Sequence, residues 1–189
     1  MRFQRRLGMT LVGAASGLLI FAGAASADVI IGTDGNDTII GTPNDDQIDA
    51  MAGDDTVEGL RGRDTILGGA GKDDLDGNGG RDTISGEADD DFIEGGTGDD
   101  RLRGDSGDDV IVGENGDDTL GGSLGNDILR PGNGADRVFG GAGDDLVEIM
   151  ADGEEDFVDC GDGFDQVTGT FDAAVDVFVN CEDIRATGS

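Results

Sequence analysis

Asp37, Asp46, Asp55, Asp64, Asp73, Asp82, Asp91, Asp100, Asp109, Asp118, Asp127, Asp136 and Asp145 stand nine residues apart, without one insertion or deletion. Carboxylates serve as general acids and bases, as partners for cationic groups, or as oxygen ligands for hard cations. A catalytic centre needs a few unequal groups in distinct roles, whereas this series offers one group many times over. That is the pattern of a repeated ligand. Other means of catalysis are scarce, because the chain has no His and therefore no Ser-His-Asp triad, imidazole base or zinc-binding His motif.

A repeated ligand needs a frame that repeats with it. Two positions after each Asp stands an aliphatic residue: Ile39, Ile48, Val57, Ile66, Leu75, Ile84, Ile93, Leu102, Ile111, Leu120, Leu129, Val138 and Val147. Two positions before each Asp, Gly fills 11 of 13 places, with Asn44 and Asp89 as exceptions. Five positions before it, Gly again fills 11 of 13, with Ala50 and Pro131 as exceptions. The unit reads G-x-x-G-x-D-x-U-x, with U aliphatic, and the segments 68–76, 95–103 and 140–148 carry the fuller form G-G-x-G-x-D-x-U-x. Low aromatic content with high charge is otherwise a mark of disorder. Disordered sequence, however, has no need of register, and this register points to stacked structural units.

The first six residues of the unit are turn formers, rich in Gly, Asp and Asn. The last three, x-U-x, suffice for one short strand, in which U faces one way and its neighbours the other. Those neighbours are mostly polar, as at Thr38, Thr56, Thr65, Thr83, Thr119, Glu58 and Arg103. Turn, strand, turn, strand makes a coil of two nonapeptides, about 18 residues, with two sheets and the U residues between them. The predicted fold is all-β, a parallel β-roll (β-solenoid) of stacked nonapeptide repeats. A core of one aliphatic residue per strand is thin, and a further source of stability is required.

These residues resemble the RTX (haemolysin-type) calcium-binding repeat family over residues 32 to 148. The resemblance implies calcium ions held between turns on the same edge of the roll, with the repeat Asp and turn carbonyls as ligands. One edge then carries Asp37, Asp55, Asp73, Asp91, Asp109, Asp127 and Asp145, and the other Asp46, Asp64, Asp82, Asp100, Asp118 and Asp136. The gaps between those turns allow up to eleven ions. Pro43 and Asn44, Asp89, and Pro131 interrupt the Gly pattern, and Arg63, Lys72 and Arg81 precede their Asp with a positive charge. These gaps are expected to bind more weakly. The arrangement is also similar to small secreted calcium-binding proteins with a Cys-bearing tail.

Charge fits a cation partner. Residues 28–189 hold all 43 acidic residues against nine basic ones. Such a chain repels itself, and it has no basic patch for nucleic acid or anionic lipid. Residues 1–27 read as a secretory signal peptide: Arg2, Arg5 and Arg6, an apolar stretch from Met9 to Ala22, and a small-x-small site at Ala25-Ser26-Ala27. Arg5-Arg6 leaves twin-arginine export as an alternative. No membrane span is foreseen in residues 28–189. Cys160 and Cys181 are expected to form a disulfide in an oxidising compartment, the alternative being two free thiols.

Residues 28–148 form the calcium-binding repeat unit. Residues 149–189 read as an irregular, repeat-like cap. Asp156 with Val158, Asp165 with Val167, and Asp176 with Phe178 are loose relatives of the unit, at successive intervals of eleven, nine and eleven from Asp145. Phe157, Phe164, Phe171 and Phe178 are placed to cover the end of the core. Three motif matches are set aside. Asp74-Leu75-Asp76-Gly77-Asn78-Gly79 opens like an EF-hand loop but has Ser85 at its twelfth position. The Gly-x-Gly strings lack a βαβ unit. Acidic pairs such as Asp99-Asp100 recur at every turn, unlike a glycosidase pair. The expectation is a secreted, monomeric, non-enzymatic protein that folds on binding several calcium ions, in the medium or on the cell wall. The alternative is a calcium-rigidified structural or adhesive element of the cell surface.

Overall fold

The computed structural model describes residues 8–11, 18–20, 28–171 and 176–186. Their strands fall into two sheets whose pairings are all parallel. One runs Gly8–Leu11, Asp28–Thr33, Gln47–Met51, Thr65–Ala70, Thr83–Ala88, Arg101–Ser106, Thr119–Leu124, Arg137–Ala142, Phe157–Asp162 and Val177–Val179. The other runs Leu18–Ile20, Thr38–Ile40, Thr56–Glu58, Asp74–Asp76, Phe92–Thr97, Val110–Asn115, Ile128–Asn133, Leu146–Ile149, Gln166–Gly169 and Asp183–Ala186, with the short strands Arg61–Gly62 and Gly79–Gly80 beside it. The chain alternates between sheets, so partners within one sheet stand two repeats apart, as Thr83 beside Thr65. This is the parallel β-roll. Among the described residues no helix is long and apolar enough to cross a membrane.

Register follows the aliphatic position. Ile66, Ile84, Leu102, Leu120, Val138 and Val158 stand directly beside one another in the first sheet. Val57, Leu75, Ile93, Ile111, Leu129, Val147 and Val167 do so in the second. Every one of these is at most 1 % exposed, so each coil adds one aliphatic layer from each sheet to a continuous core. Slipping a strand by one residue would turn this set outward, and the buried face therefore holds the register.

Two features differ from expectation. Most strands are longer than x-U-x: Thr65–Ala70 or Arg101–Ser106 continues for three residues past it, whereas Thr38–Ile40, Thr56–Glu58 and Asp74–Asp76 do not. The residue that follows lies on the inward face and is usually a Gly, such as Gly68 or Gly104, which has no side chain to push the coils apart. Pairing then resumes beyond it, as between Glu87 and Gly69. The outer face of the second sheet is also less polar than foreseen. Phe92, Val110, Ile128 and Leu146 stand in direct register across four strands.

Beyond Glu148 the roll continues with wider spacing. Arg137 pairs with Phe157 and Leu146 with Gln166, each two positions beyond the regular interval. The extra residues are taken up in the exposed turn at 150–155, and the core is not disturbed. Cys160 is fully buried and bonded to Cys181, with the two Cα atoms 5.2 Å apart. Phe171 and Phe178 meet at 5.3 Å between ring centroids and pack against the end of the core. Phe157 and Phe164 do not join them. Phe157 is on the outward side of its strand, 6.1 Å from Phe139, and Phe164 is 56 % exposed in a turn.

At the other end, Gly8–Leu11 pairs with Asp28–Thr33, and Leu18–Ile20 with Thr38–Ile40. The sheets thus extend into the segment read as an export signal, whose expected cleavage site at 25–27 lies outside the described residues. Replacing both cysteines by Ser should cost about 3 kcal/mol, the entropy of a closed loop of some twenty residues. The expected result is a lower urea midpoint, with proteolysis beginning in the C-terminal coils.

Candidate metal centre

Each repeat Asp ends a turn with its carboxylate directed into the roll, and none of the thirteen is more than 3 % exposed. The N–H of each donates to Oδ1 of the Asp one coil further on. The bond from Asp37 to Asp55 is 2.6 Å, from Asp64 to Asp82 2.7 Å and from Asp109 to Asp127 2.9 Å. The structure thereby assembles the two edges foreseen from the spacing, one from Asp37 to Asp145 and one from Asp46 to Asp136.

Both ladders run further than the strict repeat. Asp136 donates to Asp156 at 3.0 Å and Asp145 to Asp165 at 2.8 Å, and both acceptors are buried. Asp156 donates to Asp176, and Asp165 to Oε2 of Glu182. The Asp-x-Val pattern at 156–158 and 165–167 could signal the first two. Glu182 falls one position short of two full repeats after Asp165, and its longer side chain accepts the bond in place of an Asp. Spacing alone could not reveal it.

The second carboxylate oxygen behaves differently. Among the described residues, Oδ2 of Asp55, Asp64, Asp73, Asp82, Asp91, Asp100, Asp109, Asp118, Asp127, Asp136, Asp145 and Asp165 is buried without a hydrogen-bond partner. One buried orphan is costly, and a column of them calls for a ligand. Within the strict repeat, each lies over the residue five positions earlier, which is Gly at most turns. A methyl group on Gly68 would sit 2.5 Å from Asp73 Oδ2 and 2.9 Å from the carbonyl oxygen of Gly86. On Gly77 the corresponding distances are 2.7 Å to Asp82 and 2.8 Å to Gly95. This crowding of carboxylate and carbonyl oxygens explains why Gly recurs at that place.

Around these oxygens the turn backbone is left-handed. From Asp55 to Asp145, the residues four and two positions before each Asp have positive φ. Gly serves at many of them, but Met51, Leu60, Asn78, Glu87, Asp89, Asp105, Glu114 and Ser123 adopt it without that freedom. At the glycines two before, a Cβ would collide with the previous coil; on Gly98 it would lie 1.4 Å from the carbonyl oxygen of Gly80.

A second column lines the outside of the turns. Asp90 Oδ1 accepts from the N–H of Asp108, and Asp108 from that of Asn126, so this ladder runs opposite to the inner one. Lys72 pairs with Asp90 at 2.5 Å and Arg81 with Asp99. Their charges are paired with the outer column of the next coil, although Arg81 still favours the charged form of the inner Asp100. Arg63 likewise takes part in the outer ladder, through its N–H to Asp45.

Burial raises the inner carboxylates from Asp55 to Asp145 above their ordinary range. Desolvation is the main cause in every case, opposed by the backbone N–H bond and reinforced by neighbouring carboxylates. Asp64, Asp91, Asp118 and Asp136 are pushed up to about 7, and Asp73, Asp82, Asp109, Asp127 and Asp145 to about 6. Without a counter-cation, this interior resists ionisation.

The donor set is all oxygen. Among the described residues no three acidic, His or Cys side chains converge as a cage. A cation between two coils would have two inner carboxylates and would complete its shell from turn carbonyls. That suits calcium, which takes six to eight oxygens in flexible geometry, and does not suit zinc.

Fold and donor set define a metal-binding β-solenoid. Segments 22–57, 50–84, 67–102, 85–120, 94–129 and 113–147 match the RTX calcium-binding nonapeptide repeat (4 copies). The chain belongs to that family and is a calcium-binding repeat protein. No curated protein matches it.

The folded carboxylates hold protons more tightly than the unfolded chain, whose Asp groups titrate near 3.8. Metal-free stability is therefore highest below about pH 4 and is lost as pH rises through 6 to 7. In chelator, acidification from pH 7.5 to 5 should increase β content in circular dichroism, and over the same window calcium should bind more weakly because it displaces protons. Separately, Glu87→Gly should relieve an exposed left-handed side chain near the end of its strand and stabilise the calcium-loaded roll by about 1 kcal/mol, measured as a higher urea midpoint.

Proposed function

We propose that this is an exported protein whose roll is completed by several calcium ions held between successive turns, so that calcium binding and folding are one event. The observation that carries the reading is the column of buried Oδ2 atoms without hydrogen-bond partners, with carbonyl oxygens of the neighbouring coil beside them. A hard divalent cation supplies the charge compensation that these carboxylates lack. The chain's own part is to stack the turns in register, to exclude water from the carboxylates and to present carbonyls beside them. Export is supported by the charged, apolar and small-residue order of residues 1–27 and by the Cys160–Cys181 disulfide, which suits an oxidising compartment.

Extracellular calcium modules bind at about 0.1 to 1 mM, so the roll would be loaded outside the cell and unloaded within it. A surface-contact role is a second reading, favoured by the apolar ladder of Phe92, Val110, Ile128 and Leu146. Fractionating cells into wall and medium separates the two.

Far-UV circular dichroism in chelator, followed by a calcium titration with magnesium as control, tests the main reading. The expected outcome is a cooperative coil-to-β transition with calcium alone. A spectrum already fully β in chelator at neutral pH, or one still disordered at about 10 mM calcium, ten times the weak end of that range, would refute it.

A further inference from the structure

The first two turns are built differently from the rest. Thr33 occupies the position four before Asp37, and Thr42 the position four before Asp46. The N–H of Thr33 donates to Asp37 Oδ2 at 2.7 Å, and its hydroxyl reaches the same oxygen at 2.9 Å. The N–H of Thr42 donates to Asp46 Oδ2 at 2.6 Å, and its hydroxyl lies 3.0 and 2.9 Å from the two carboxylate oxygens. Thr42 is fully buried, and Asn44 donates to its hydroxyl at 3.2 Å. Neither Thr has the positive φ found at that position in every turn from Met51 to Gly141. The amide and hydroxyl thus point inward at the carboxylate, where later turns leave Oδ2 without a donor.

From this contrast we infer that the turns at 32–37 and 41–46 are closed by their own threonines and take no calcium, and that the ions begin at Asp55 and Asp64. The inference rests on calcium being the ligand of the later turns. Hydrogen-bond donors and a cation compete for the same lone pairs, so an oxygen that already accepts an N–H and a hydroxyl is a poor metal ligand. Counting only gaps flanked on both sides by an orphaned Oδ2, one edge has six, from Asp55 to Asp165, and the other four, from Asp64 to Asp136. The expected load is therefore about ten ions, displaced towards the C-terminus relative to the strict repeat. The closed turns act as a metal-independent starting coil on which the first ion-bearing coil can stack.

Equilibrium dialysis of the full chain against saturating calcium, with folding checked by circular dichroism, tests this count. Asp46→Asn should leave the number of bound ions unchanged, whereas Asp100→Asn should lower it by one or two. Thr33→Gly combined with Thr42→Gly should raise it by up to two, because Gly is the residue found in open turns such as those of Asp73 and Asp100. If Asp46→Asn fails to fold, the Thr double variant decides alone. Equal losses from Asp46→Asn and Asp100→Asn, or a Thr double variant that folds and gains no ion, would overturn the inference. Absence of any calcium uptake by the native chain would instead defeat the calcium reading itself.

Discussion

Every nine residues this chain directs an aliphatic side chain and a carboxylate into the same interior. The first is stabilising in the usual way, and the second is not. One carboxylate oxygen is satisfied by a backbone N–H from the neighbouring coil, which locks the coils together at the turn. The other, from Asp55 onward, faces carbonyl oxygens and has no donor through the strict repeat. The rest of the structure depends on how that oxygen is compensated. The glycines, the left-handed residues and the uninterrupted nine-residue spacing all serve to bring it to the same place in each coil.

The arrangement divides labour between the two parts of the repeat. The strands provide a narrow apolar core and a continuous hydrogen-bond ladder, neither of which is large for a chain carrying so much negative charge. The turns hold the charge and, with it, the response to ionic conditions. Protons and calcium are alternative means of quieting the same buried carboxylates, and this places acidity and divalent cation on one thermodynamic axis. The C-terminal coils add another means, a disulfide and an aromatic pair, where the repeat becomes irregular and the carboxylate ladder ends.

Much of this was legible in the sequence because a strict period leaves little freedom. The aliphatic positions, the two edges and the pairing of strands two repeats apart followed from the spacing of Asp37 to Asp145. What spacing could not show was conformation within the turn. Thr33 and Thr42 look like ordinary variants of a tolerant position, and only their backbone conformation and hydrogen bonds reveal closed turns. Glu182 was hidden because it differs from the repeat in both residue type and interval. Phe157 was misjudged although it stands between Asp156 and Val158, the place in the unit whose side chain faces outward, as Arg137 does beside it. The longer strands were missed because Gly reads as turn in a sequence, yet here it is the residue that permits close stacking.

Each inner carboxylate away from the ends of its edge borders two gaps, one towards each neighbouring coil. If calcium occupies these gaps as proposed, an ion in one gap fixes one wall of the next. In the language of a one-dimensional lattice, neighbouring sites are coupled while distant ones are not. A partly loaded molecule would then minimise the number of boundaries between filled and unfilled stretches, its ions occupying a contiguous block rather than a random scatter. On that reading the roll would lengthen and shorten as a zipper does, and a titration of the whole population would record the position of that boundary along the chain.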